Sequence, residues 1–180
     1  MRRAVFLDRD GTLNRAPVRD GRPYSPATLE EFEILADVPG ALRRLREAGF
    51  LLIVVTNQPD VATGRQDRTV VEAMHDHLRT ELLIDDFKVC YETEAQAPDR
   101  YKPAPGMIHE AARENGIDLA ASFMIGDRWR DVGAGQAAGC KTIFIDRGYR
   151  ERQPMAADWT VRSLGEAADI VVRQVGKLGA

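Results

Sequence analysis

Five short runs of almost wholly apolar residues alternate along the chain with longer amphipathic segments. Runs rich in Val, Ile and Phe that carry almost no polar residues are typical of strands buried on both faces of a parallel sheet. They predict five strands: "AVFLD" (4–8), "LLIVVT" (51–56), "FKVCYE" (87–92), "SFMIGD" (122–127) and "KTIFID" (141–146).

The amphipathic segments between the runs predict helices. Apolar residues recur at helical spacing in the first segment, which stops at Gly49, and the third stops at Gly116. The predicted helices cover 38–49, 68–83, 105–116, 130–139 and 164–178. Strands that alternate with helices at this spacing indicate an α/β fold with a doubly wound, mainly parallel, Rossmann-like sheet. With 180 residues, the chain suits a single domain spanning 1–180.

Composition excludes several classes of partner. The formal net charge is −3, and no block of Lys or Arg indicates binding to nucleic acid or to a membrane surface. The apolar runs are far shorter than a membrane span, and the N-terminus lacks the pattern of a signal peptide. Two cysteines form no disulfide framework, so we expect reduced thiols and a cytoplasmic location.

Polar residues follow four of the apolar runs. Asp8 and Asp10 follow the first, Thr56 and Asn57 end the second, Lys102 comes after a loop behind the third, and Asp127 and Asp131 follow the fourth. In sheets of this kind, ligands bind outside the carboxyl ends of the strands. The sequence therefore predicts that these side chains form one site at that edge.

Four carboxylates in one place repel one another unless a cation lies between them. Mg²⁺ suits an all-oxygen site because it needs few protein carboxylates and keeps waters and phosphate as its other ligands. No histidine cluster favours zinc, and we expect His75, His77 and His109 to be ordinary surface residues. A site that combines Mg²⁺, a lysine and a threonine hydroxyl is suited to a phosphate group.

The spacing indicates distinct roles in phosphoryl transfer. Asp8 can act as a carboxylate nucleophile, and Asp10 can act as general acid and then general base. Thr56 and Lys102 can contact the phosphoryl oxygens. Asp127 can complete the metal site, and Asp131, one helical turn later, can bind the metal or support Asp127.

Four motifs in this order resemble the haloacid dehalogenase (HAD) superfamily. They are "DRDGT", "VVTNQ", "YKPAPGM" and "IGDRWRD", and together they span 8–131. "DRDGTLN", "TNQ" and "KPAPGM" are most similar to the branch that contains heptose-1,7-bisphosphate and histidinol-phosphate phosphatases. The resemblance implies hydrolysis of a small phosphate ester through an aspartyl phosphate. It also implies Mg²⁺ held by Asp8, Asp127 and the Asp10 carbonyl, with phosphate contacts from Thr56, Asn57 and Lys102.

The loops depart from that branch. Members often carry a zinc loop of several Cys and a His before the motif lysine, whereas "CYETEAQAPDRYKP" retains only Cys90, so we predict no structural zinc. Tyr101 stands where the branch commonly has Arg, with Arg100 one residue earlier. Arg100 and Arg128 are candidate substrate-binding residues. Neither 14–37 nor 93–101 is long enough to form a cap domain, so we expect a capless enzyme with an open cleft, active as a monomer.

Three alternatives stay open at this point. A phosphotransferase or mutase would return the phosphoryl group to a sugar, and a cap that excludes water would favour it. A signalling receiver domain also combines aspartate, Mg²⁺, Thr and Lys, but its phosphorylated Asp follows the third strand. A catalytically inactive binding module would retain the fold, although every expected catalytic residue is present here.

Overall fold

The computed structural model describes residues 1–176, which form a six-stranded sheet, a small ribbon and five helices. In chain order the strands are β1 (Arg3–Leu7), β2 (Val18–Arg19), β3 (Arg22–Pro23), β4 (Phe50–Asn57), β5 (Asp86–Cys90), β6 (Phe123–Gly126), β7 (Lys141–Ile145) and β8 (Trp159–Val161). The helices are α1 (Val38–Glu47), α2 (Arg68–Glu81), α3 (Gly106–Asn115), α4 (Trp129–Ala138) and α5 (Leu164–Gly176).

The large sheet has the order β5-β4-β1-β6-β7-β8, and all its neighbouring strands are parallel. The chain moves outward from β1 through β4 to β5 and then crosses back to β6 on the other side of β1. This reversal creates a crevice between the carboxyl ends of β1 and β6, where doubly wound sheets bind their ligands. The predicted fold class is confirmed.

Both faces of the sheet are covered by helices, which explains why the strands are apolar throughout. In β1, Val5 and Leu7 pack in a core with residues of α1, α2 and α5, whereas Ala4 and Phe6 pack in a second core with residues of α3 and α4. Alternate side chains of a strand point to opposite faces, so each face of the central strand must be apolar.

The five predicted strands and five predicted helices are all present, with ends that differ by a few residues. The last predicted helix runs to Gly176, and the remainder of that prediction, 177–178, lies outside the described residues. Strand β8 and the antiparallel ribbon of β2 and β3 were not predicted, because strands of two or three residues carry too little sequence pattern. No helix in residues 1–176 is long and apolar enough to cross a membrane.

The segment 14–37 connects β1 to α1 and carries only the β2–β3 ribbon as regular structure. The two ends of the segment are tied together, because the Leu35 N–H donates to the Leu13 carbonyl at 3.0 Å. The chain that follows β3 supplies Tyr24 and Ser25 to the wall of the cleft described below.

Candidate active site

The carboxylates predicted from the strand ends meet at the crevice between β1 and β6. Asp8 directly follows β1, Asp127 directly follows β6, and Asp131 lies in the first turn of α4. All three are buried, and one carboxylate oxygen from each lies within 4.8 Å of the others. Residues more than a hundred positions apart in the chain therefore form one acidic cluster.

Lys102 is the cation within this cluster. Its ammonium donates to Asp131 Oδ1 at 2.6 Å, to Asp8 Oδ1 at 2.8 Å and to the Val55 carbonyl at 2.8 Å. Burial alone would lower the pKa of this ammonium, but the charges of Asp131 and Asp8 outweigh burial and raise the pKa. Lys102 is therefore charged in the folded protein.

Asn57 holds Lys102 through the backbone. The Asn57 amide donates to the Lys102 carbonyl at 3.1 Å and accepts from the Lys102 N–H at 3.1 Å. This reciprocal pair fixes the loop that carries the lysine to the end of β4. The sequence predicts that Asn57 contacts the phosphate, whereas in the structure its amide is paired with the Lys102 backbone.

The surroundings of Asp8 and Asp127 disfavour the ionised form of both carboxyl groups. Burial, followed by repulsion from Asp131, raises the pKa of Asp8 to about 6 although Lys102 opposes the shift. Burial and the charges of Asp8 and Asp131 raise the pKa of Asp127 well above its ordinary value. The Tyr149 hydroxyl lies beside Asp127 and opposes this rise of the pKa, but no hydrogen bond of regular geometry reaches either Asp127 oxygen among the described residues. A buried carboxylate with so little hydrogen bonding is costly, and the all-oxygen set of Asp8, Asp127 and Asp131 fits a hard divalent cation.

Gly11 allows the chain to turn tightly beside this cluster. Its φ is +84°, and a Cβ at this position would lie 1.8 Å from Asp127 Oδ2. No other residue type fits this position, because the backbone conformation and the contact both require the absence of a side chain.

Asp10 has a different environment from Asp8 although only one residue separates them. Its carboxylate accepts hydrogen bonds from Asn14 at 2.9 Å, Ser25 at 2.7 Å, Gln58 at 3.0 Å and the guanidinium of Arg9. Burial raises the pKa of Asp10, but the charge of Arg9 and these hydrogen bonds outweigh burial and hold the pKa below its ordinary value. Asp10 is therefore ionised down to a lower pH than the neighbouring Asp8.

Thr56 lies beside Asp10 at the end of β4. Its hydroxyl oxygen accepts a hydrogen bond from Gln58 Nε2 at 2.9 Å, and within the described chain its O–H donates to no protein group. The hydroxyl hydrogen is thus available to a ligand in the cleft, because a threonine oxygen accepts and donates at the same time.

An open cleft of about 200 Å³ lies above these groups. Its lining includes Asp8, Asp10, Thr56, Asn57, Lys102 and Asp131, together with Tyr24, Ser25, Tyr101, Arg128 and Arg130. Arg128 forms a two-pronged ion pair with Glu151, and Arg130 donates to Glu94 and to the Lys102 carbonyl. Arg100 is paired with Glu110 at 3.0 Å and is not part of the lining.

The prediction that His75 is a surface residue was wrong. His75 is fully buried in α2, on the same face as Val71, Met74 and Leu78. The spacing 71, 74, 75, 78 is that of one helix face, so helical periodicity contains the signal that places His75 inside. No local pattern marked Arg9, Ser25 or Gln58 as neighbours of Asp10.

The thiol of Cys90 is buried and lies 3.7 Å from the Glu92 carbonyl oxygen. The segment from Cys90 to Lys102 otherwise forms turns, with Gln96 accepting from the Thr93 N–H at 2.9 Å. The absence of a structural zinc stays a prediction from the single cysteine of this segment.

Comparisons with known proteins identify the family of this chain. Residues 100–177 match the family model of HAD-hydrolase-like proteins. The chain is 38% identical over 167 residues to a D-glycero-D-manno-heptose-1,7-bisphosphate 7-phosphatase of Chlorobaculum tepidum, covering 83% of this chain and 81% of the relative. It is 33% identical over 186 residues to the D-glycero-beta-D-manno-heptose-1,7-bisphosphate 7-phosphatase of Escherichia coli K12, covering 95% and 94%.

A solved structure has the same fold. The D,D-heptose 1,7-bisphosphate phosphatase from B. bronchiseptica, crystallised with magnesium and phosphate, superposes with a TM-score of 0.81 and 26% identity, covering 96% of this chain and 99% of the other. The fold and the acidic site define a phosphatase of the HAD class. The chain belongs to the HAD superfamily, in the same family as these bacterial heptose-bisphosphate phosphatases.

Proposed function

We propose that the protein is a Mg²⁺-dependent phosphatase that removes one phosphate from a sugar bisphosphate of the heptose-1,7-bisphosphate type. The observation that carries this proposal is the pairing of Asp8, held by Lys102, with the buried Asp127 across the β1–β6 crevice. The names of the relatives supply the class of substrate.

In the first step, a carboxylate oxygen of Asp8 attacks phosphorus while the bond from phosphorus to the sugar oxygen breaks. Lys102 holds Asp8 Oδ1 at 2.8 Å, which orients the carboxylate for in-line attack and balances negative charge on the phosphoryl oxygens. Thr56 donates its free O–H to one of these oxygens. The product of this step is an aspartyl phosphate on Asp8.

Asp10 transfers the proton in both steps. It protonates the departing sugar oxygen and, as a carboxylate, then removes a proton from the water that attacks the aspartyl phosphate. In the free site Asp10 is ionised, and the negative phosphoryl group placed beside it favours the protonated form because like charges repel. Its hydrogen bonds to Asn14, Ser25 and Gln58 direct the carboxyl group throughout.

Asp8, Asp127 and the Asp10 carbonyl are the proposed Mg²⁺ ligands, with Asp131 close enough to bind or to support them. When bound, the cation would offset the charge of the carboxylates and of the phosphoryl group. Asp131 also accepts from the Arg128 N–H at 2.9 Å and from Lys102, so its place in the site is set by two donors.

The sugar and its second phosphate would contact the rim of the cleft. Arg128 is the proposed contact there, and it would have to exchange Glu151 for the substrate phosphate. Arg100 would have to leave Glu110 to reach the substrate. The cleft is open to water, which supports hydrolysis rather than transfer to a second sugar. Both cysteines are buried and unpaired, which supports a location in a reducing compartment such as the cytoplasm.

A phosphate-release screen tests this proposal. The panel contains both anomers of heptose 1,7-bisphosphate, histidinol phosphate and common sugar monophosphates, each measured with Mg²⁺ and with EDTA. We expect turnover that requires Mg²⁺, prefers a sugar bisphosphate and falls by several orders of magnitude in Asp8→Asn. Near-normal turnover in Asp8→Asn would overturn the mechanism, and a clear preference for histidinol phosphate would overturn the substrate class.

A further inference from the structure

Arg9 lies between two aspartates in the sequence, and the structure buries its side chain completely. A buried guanidinium needs partners for its donors, because removing it from water is costly. Arg9 Nε donates to Asp10 Oδ1 at 3.2 Å, and Nη2 donates to both oxygens of Asp10 at 3.0 Å. The face of the guanidinium lies over the ring of Phe32, with its central carbon 5.7 Å from the ring centroid.

His75 of α2 holds the remaining side of the guanidinium. Arg9 Nη1 lies 3.1 Å from His75 Nε2, and both groups are buried. An arginine can only donate, so Nε2 must accept and the imidazole carries its proton on Nδ1. Nδ1 forms no hydrogen bond among the described residues and lies 3.8 Å from Glu72 Oε2, and the ring packs against Phe87 at a centroid distance of 5.2 Å. The contact of Nε2 with Arg9 and the packing on Phe87 therefore set the position of the imidazole.

We propose that Arg9 and His75 are positioning residues that orient the carboxyl group of Asp10 for proton transfer to the leaving oxygen. This inference rests on the proposed role of Asp10 as acid and base. Asn14, Ser25 and Gln58 donate to the Asp10 carboxylate. The fully buried Arg9 also donates to it. Without an acceptor at His75 Nε2, Nη1 would be buried without a partner, and the guanidinium would rotate to find one.

Substrates with different leaving groups distinguish a role of Arg9 and His75 in proton transfer from a role in core packing alone. A sugar alkoxide departs poorly without a proton from Asp10, whereas the nitrophenolate of p-nitrophenyl phosphate departs readily without one. A displaced Asp10 carboxyl therefore slows hydrolysis of the sugar phosphate selectively. A general loss of structure would slow both substrates by similar factors.

Three substitutions at one position make the test. His75→Phe keeps an aromatic ring against Phe87 but removes the acceptor. His75→Asn is polar but too short for its amide to reach Arg9, whereas the longer amide of His75→Gln can accept from Nη1. His109→Phe, on α3, is the matched control because, within residues 1–176, no hydrogen bond of Arg9 or Asp10 involves His109.

We expect His75→Phe and His75→Asn to lower kcat on the sugar phosphate by roughly tenfold to a hundredfold. KM should stay within about twofold, and p-nitrophenyl phosphate turnover should change by less than about threefold. His75→Gln should recover most of the loss. In an Asp10→Asn background, His75→Phe should cause no further loss of kcat, since His75 acts only through the Asp10 carboxyl group. If His75→Phe does not fold, the Asn and Gln pair carries the same comparison.

Equal losses on the two substrates, unchanged kcat in the acceptor-free variants, or no recovery in His75→Gln would overturn this inference alone. A wild-type protein without Asp8-dependent hydrolysis of either substrate would overturn the proposed function together with it.

Discussion

The ammonium of Lys102 lies 2.6 Å from Asp131 Oδ1, closer than its 2.8 Å contact with Asp8 Oδ1. Asp131 also accepts from the Arg128 N–H at the start of α4. In contrast, within residues 1–176 Asp127 forms no hydrogen bond of regular geometry, and the Tyr149 hydroxyl is the side-chain donor beside it. Two aspartates four residues apart thus have different partners, and this difference predicts different effects when each is changed to asparagine.

Asp131→Asn should lower kcat by roughly tenfold to a hundredfold while weakening Mg²⁺ less than Asp127→Asn does, because Asp131 acts mainly on Lys102. The measurement is the Mg²⁺ dependence of turnover for both variants, with Mg²⁺ binding followed by calorimetry. If Asp131→Asn weakens Mg²⁺ binding as much as Asp127→Asn does, Asp131 is instead a metal ligand that contributes as much to Mg²⁺ affinity as Asp127.

Asp127→Asn should abolish stabilisation of the fold by Mg²⁺. A ligand that binds only the folded state raises its stability, so wild-type Tm should rise with added Mg²⁺ and the variant's should not. At neutral pH without Mg²⁺, the variant should be more stable than the wild type, because it removes a carboxylate whose charge is destabilised by burial and by the charges of Asp8 and Asp131. Thermal unfolding with EDTA and with Mg²⁺ measures both effects, and a wild type insensitive to Mg²⁺ would contradict the proposed site.

The stability of the Mg²⁺-free protein should depend on the ionisation of Asp8. Its pKa is about 6 in the folded protein and about 3.9 in an unfolded chain, so the folded state binds more protons between these values. Stability therefore falls as pH rises through this window. The free energy of unfolding of Asp8→Asn, relative to wild type, should increase by roughly 2–3 kcal/mol between pH 4 and pH 7.

Urea unfolding in EDTA at several pH values measures this difference. Saturating Mg²⁺ should reduce the loss of wild-type stability between pH 4 and pH 7, since the cation favours the ionised carboxylate. A difference that stays constant with pH would show that Asp8 titrates alike in the folded and unfolded states.

Two glycines with positive φ provide a matched comparison. Gly64→Ala should cost about 1 kcal/mol, because φ is +71° but nothing lies within 4 Å of an added Cβ. Gly11→Ala adds a Cβ 1.8 Å from Asp127 Oδ2, so it should cost more and remove Mg²⁺-dependent activity. Urea unfolding and phosphatase assays on both variants check this. Equal stability and activity in the two variants would mean that the turn at Gly11 relaxes freely.

Much of this protein follows from the sequence by itself. The apolar runs and helical periodicity determine the elements, because strands covered on both faces need apolar residues at every position. Polar residues after those runs identify the site edge, because the carboxyl ends of parallel strands lie together. Asp8, Thr56, Lys102 and Asp131 are brought together there as the pattern indicates.

Tertiary structure alone decided how these residues are held. Arg9 and His75 are 66 positions apart, and no local pattern couples a strand end to the middle of a helix. The same is true of Asn57 with the Lys102 backbone and of Ser25 with Asp10, 45 and 15 positions apart. Such contacts depend on the order of the strands and the path of the loops. Periodicity tells which face of an element is buried, but only packing determines which side chain it meets.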